Sequence, residues 1–74
     1  MLAVYAVGVA EAAGLTDEEL ATIRHAALGH SHLGGRAGEV LRWVRDKLEG
    51  RTPAPNPVLE SAFMRVARVV QPLE

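Results

Sequence analysis

A chain of 74 residues with net charge −1 and no cysteine makes one small domain at most, without disulfide support or thiol redox chemistry. The near-neutral balance gives no general drive towards nucleic acid or an acidic membrane. No apolar run approaches the roughly 20 residues that span a bilayer. Apolar residues are 49% of the chain but include only one Trp, one Tyr and one Phe. The core must therefore be built largely from small side chains, and a second copy covering leftover apolar surface would add stability.

Four helices are predicted in chain order. The first runs over 2–13, with Val4, Val7, Ala10 and Glu11 marking its turns and Gly14 as its C-cap. Gly8 stands mid-helix, where it is less favourable than alanine, and is read as a point of close packing against a neighbouring helix. The stretch MLAVYAVGVAEA has an A-x-A-like end at Ala10–Ala12. It lacks a positive n-region and carries Glu11 inside the would-be cleavage site, so it is read as a helix of the domain and not as a signal peptide.

The second helix opens at Thr16-Asp17-Glu18-Glu19, a capping box with acids at the positive end of the helix dipole. Leu20, Ile23, Ala27 and Leu28 form its apolar stripe, and it should end near Gly29 or His30. Gly34 and Gly35 form a tight turn. The third helix runs over 36–49 with Ala37, Val40, Leu41, Val44 and Leu48 inward. Its outer face offers two i,i+4 ion pairs, Arg42 with Asp46 and Arg45 with Glu49. Trp43 lies beside the inward stripe, either half-buried or as an interface anchor for a partner. The segment EGRTPAPNP makes a stiff extended connection. Asn56 then caps a fourth helix over 57–71, with Pro57 in its first turn and Pro72 as its stop. Leu59, Ala62, Phe63, Val66, Ala67 and Val70 line its inner face.

The residues that invite a chemical reading are His25, His30 and His32. His25 and His30 are five apart, so they leave a helix in different directions, whereas metal-binding histidines prefer i,i+4. If any metal is held, His30 and His32 in the turn are the ligands. Ser31 and Ser61 have no partner at a spacing that would activate them. No catalytic residues and no cofactor are expected on these grounds. Arg36 beside the glycine turn gives a weak anion-binding signal.

The segment IRHAALGHSHLGG, residues 23–35, resembles the signature helix of HD-domain phosphohydrolases, most closely the HD-GYP branch that cleaves cyclic di-GMP. In that family a stretch of the type AALLHDIGK follows a GLS-x-EE helix start. GLTDEELATIRHAALGHS, residues 14–31, is similar to it. AVYAVGVAEAAG resembles the family's first helix, and LESAFMRVARVVQPL, residues 59–73, a later helix of the type LEARILRVADVYDAL. The middle, residues 33–58, is shorter than in the family and departs from it. The resemblance implies an all-α, HD-domain-like bundle of about four helices, shortened in the middle, as a single domain over 1–74.

The same resemblance implies that the metal centre is lost. His30 matches the histidine of the His-Asp pair, but Ser31 stands at its aspartate. Arg68 stands at the late aspartate, where a guanidinium repels a cation instead of ligating it. The family's early histidine would fall before Met1, and its lysine after the pair and its Gly-Tyr-Pro segment have no counterpart. The expected function is a non-catalytic binding or dimerisation module in nucleotide signalling, cytoplasmic, working as a homodimer or with a protein partner. One alternative is a nucleotide or phosphate binder with a basic pocket of His30, His32, Arg36 and Arg68. Another is a residual metal-dependent phosphohydrolase using His25, His30 and His32. Nucleic-acid binding by the third helix is disfavoured by its paired charges.

Overall fold

A computed structural model of the chain describes residues 2–29 and 33–70. It is an all-α bundle of α1 (Leu2–Ala12), α2 (Asp17–Gly29), α3 (Gly35–Leu48) and α4 (Pro57–Val70). The helix starts and ends fall within one or two residues of those predicted. The expected stop at Pro72 lies outside the described residues.

The ends of the helices are set by local chemistry. Gly14 takes φ 89°, its N–H donates to the Glu11 carbonyl, and the Leu15 N–H donates to that of Ala10. This is a Schellman motif, which needs a residue that tolerates the left-handed region. α3 ends in the same way: Gly50 at φ 82° donates to Lys47, and Arg51 to Asp46. At the start of α2 the Thr16 N–H donates to Glu19 Oε1 at 2.9 Å and the Glu19 N–H to Thr16 Oγ1 at 3.2 Å, the reciprocal capping box. Asn56 Oδ1 accepts from the Leu59 N–H at the start of α4.

α1 is the hub. It packs against α2, α3 and α4, whereas α2 and α4 do not meet among the described residues. Apolar on nearly every side, α1 buries Tyr5, Ala6, Val9 and Ala10, as a helix without a polar face must. The core is completed by Ile23 and Ala26, by Ala37, Val40, Leu41, Trp43 and Val44, and by Leu59 and Ala62. Phe63, Val66 and Ala67 pack against it. The side chains of Ala27, Leu28 and Val70, expected inward, lie outside the described set.

Leu48, expected inward, and Val4 face out, as do Val58, Met64 and Val69. Leu48 is 37% exposed, because the chain reverses at Gly50 directly after it. Val4 is 55% exposed, on the side of α1 that no other helix covers.

The ion pairs also differ from those predicted. Neither Arg42 with Asp46 nor Arg45 with Glu49 forms. The Schellman reversal brings Arg51 back onto α3, where it takes Asp46 at 3.3 Å and Glu49 at 3.1 Å. Arg42 instead donates to the Leu33 carbonyl at 3.2 Å. Gly38 permits that approach, since a Cβ there would collide with the Leu33 carbonyl oxygen.

Gly8 does what its mid-helix position suggests. A Cβ on it would stand 3.0 and 3.2 Å from the two methyl carbons of Val66, so its bareness sets the spacing of α1 and α4. Alanine would gain about 1 kcal/mol of helix propensity. Crowding the rotamer-locked Val66 would cost about 1–3 kcal/mol. Gly8→Ala should therefore lower the urea midpoint in the native background and raise it in a Val66→Ala background. A midpoint that rises in both would show that the helix pair has slack.

Candidate functional site

Of the residues singled out in sequence, His30, Ser31 and His32 lie outside the described residues. His25 is exposed on α2, where it borders a shallow depression of about 410 Å³ with Ala21, Thr22, Ala26 and Leu33. Among the described residues no three of His, Cys, Asp or Glu gather as a metal-ligand set. No described helix is long and apolar enough to cross a membrane.

Arg36 is committed to another helix. Its Nη2 donates to Glu19 Oε1 at 3.0 Å, the oxygen that also accepts from the Thr16 N–H and, at 3.3 Å, from Thr16 Oγ1. The guanidinium lowers the Glu19 carboxyl below the ordinary carboxylate range, helped by the Thr16 backbone N–H. Glu19 in turn raises the Arg36 guanidinium. The capping box of α2 is thus extended into a tie to the first turn of α3. Arg36 also lines a cleft of about 210 Å³ with Glu39, Asn56 and Val58, at the beginning of α4.

Arg68 sits in the last turn of α4 and is exposed. From Val58 to Arg68 the helix rises about 15 Å. The two arginines of the expected basic pocket are therefore at opposite ends of α4, and one of them is neutralised by Glu19. The pocket of Arg36 and Arg68 is not assembled.

Trp43 is likewise not available as an interface anchor. It is 5% exposed, packed edge-on against Phe63 at 6.0 Å between ring centroids, and Phe63 also stacks with Tyr5 at 5.3 Å. Its Nε1–H donates to the Ala54 carbonyl at 3.0 Å. The indole therefore holds the proline-rich connection against α3. Lys47 caps the ring at 5.3 Å and reaches Glu60 of α4 at 3.2 Å.

Among the depressions of the described residues, the most apolar is a groove between α1 and α4, of about 290 Å³, lined by Val4, Gly8, Glu11, Ala12, Arg65, Val66 and Val69. Val69 is 78% exposed. The sequence does not reveal this groove, because it depends on which helix lies beside α1. Its one local signal is the spacing of Val4, Gly8 and Ala12, which places them on one line of a helix.

Compared with family models, curated proteins and solved structures, the chain matches none.

The Glu19 tie has a pH signature. A carboxyl held below its unfolded value contributes stability that is fully present above the unfolded pKa and is lost as pH falls through the folded one. For Glu19 that window lies below the ordinary glutamate value of about 4.3. As pH falls below about 4.3 the urea midpoint of the native chain should drop more steeply than that of Glu19→Gln. Parallel profiles would show that the tie does not bear on folding.

Proposed function

We propose that the chain is a non-catalytic helical binding module, its helix order derived from the HD-type phosphohydrolases, with nucleotide signalling as its setting. The observation that carries this reading is the exposed apolar groove between α1 and α4, in a chain whose described interior holds no buried polar or charged side chain. A catalytic centre gathers titratable groups in a cleft and shifts them. Here the shifted groups among the described residues are Glu19 and Arg36, which pair with each other at the surface. An exposed valine surface instead contributes by being covered.

The position of Arg68 supports the same reading. At the place the resemblance gives to a metal-binding aspartate, the chain carries an exposed cation on the last turn of α4. There it interacts favourably with the helix dipole and offers no lone pair to a metal.

The test is loading of the full chain with manganese, iron or zinc, removal of excess, and measurement of retained metal and of cyclic di-GMP hydrolysis. The expected result is no stoichiometric metal and no metal-dependent turnover, with His30→Ala indistinguishable from the native chain. Retention of one or more ions per chain together with turnover, both lost in His30→Ala, would overturn the reading.

A further inference from the structure

We propose that the α1–α4 groove is the contact surface for a second copy of this chain, related to the first by a two-fold axis. The proposal rests on the binding-module reading and names the surface and the occupant.

The groove has the form such a contact needs. Gly8 and Val66 are its floor, Val4 and Val69 its apolar flanks, and Glu11 and Arg65 its charges. Val4 and Val69 are exposed valines on helices, and valine is a weaker helix former than the alanine or leucine that a merely solvated helix face would favour. Unlike Val58, they flank one continuous apolar groove, which is accounted for by burial against something else.

The charges say what that something is. Glu11 and Arg65 both border the groove, and neither is engaged in an ion pair among the described residues. A patch holding one acid and one base beside an apolar strip is self-complementary under two-fold rotation. The acid of each copy meets the base of the other, and the same contact is made twice. A polyanion would be drawn by Arg65 and repelled by Glu11, so nucleic acid or an acidic peptide fits less well.

The small residues fix a register. Val4, Gly8 and Ala12 lie at i, i+4 and i+8 along α1. A two-fold axis placed over the Gly8–Val66 contact sets Val4 of one copy towards Ala12 of the other, large against small. This arrangement closes on itself and leaves no open edge for further growth, as isologous contacts do.

The experiment is sedimentation equilibrium of the full chain from about 1 μM to about 1 mM, with the fold of each variant checked by far-UV circular dichroism. The native chain should pass from monomer to dimer across this range. Val69→Asp should weaken the dimer tenfold or more. Val58→Asp, at a position of similar exposure on α4 (61%) but outside the groove, should leave it unchanged. Glu11→Arg and Arg65→Glu should each weaken it, and the two together should restore it.

A native chain that stays monomeric throughout would overturn the proposal. So would equal weakening by Val69→Asp and Val58→Asp, or a double charge reversal as weak as the singles. These outcomes are separate from the metal and hydrolysis results: turnover of cyclic di-GMP would remove the underlying reading without moving any sedimentation profile.

Discussion

The burial of α1 is the constraint from which the rest of this small bundle follows. Glu11 is its one charged residue, and water offers it no favourable face. The other three helices are arranged so that each packs against it, while α2 and α4 never touch each other among the described residues. Each of those outer helices has only to supply one apolar face. In a chain with three aromatic residues, that economy matters, because small side chains remove little area from water individually. Close approach compensates: the bare backbone at Gly8 lets Val66 sit against α1, and dense packing recovers dispersion contacts that small residues would otherwise forgo.

Around this hub the connections are fastened by polar groups. The two Schellman turns satisfy the ends of α1 and α3 with backbone alone. The tie from Arg36 to Glu19 holds the starts of α2 and α3 together. The Trp43 indole holds the connection before α4 through a single carbonyl. Arg36 and Trp43 were candidates for chemistry of another kind, anion binding for the one and partner recognition for the other. Their geometry accounts for them as fasteners, and the α1–α4 groove is the apolar depression that neither of them borders.

What could be read from the sequence divides along the range of the interaction. Helix starts and stops were legible because their determinants are adjacent: Thr16 with Glu19, Asn56 ahead of Pro57, and Gly14 after the last apolar turn of α1. The role of Gly8 was also legible, since a glycine inside an apolar helix gives up helix propensity that close packing can recover. Long-range outcomes were not. The partners of Asp46 and Glu49 were misassigned because Arg51 returns only once the reversal at Gly50 exists. The depth of Trp43 depended on Phe63 and on the proline-rich segment folding over it. Arg36 and Arg68 were grouped by charge, and the fold separates them along the length of α4. The HD-like resemblance rests on sequence alone, and the residues on which it bears most heavily, His30 and Ser31, lie outside the described set.

The contact between Gly8 and Val66 has a consequence for how the chain comes to be folded. It joins the first helix to the last, across nearly the whole sequence. The hub can gather α2 and α3 as they emerge during synthesis, but its remaining side stays uncovered until α4 has been made. Closing that side requires a long loop to be brought together. Until then the nascent bundle exposes the apolar flank of α1 to its surroundings. The early chain therefore passes through a stage in which its stickiest element is dressed on two sides and bare on the third.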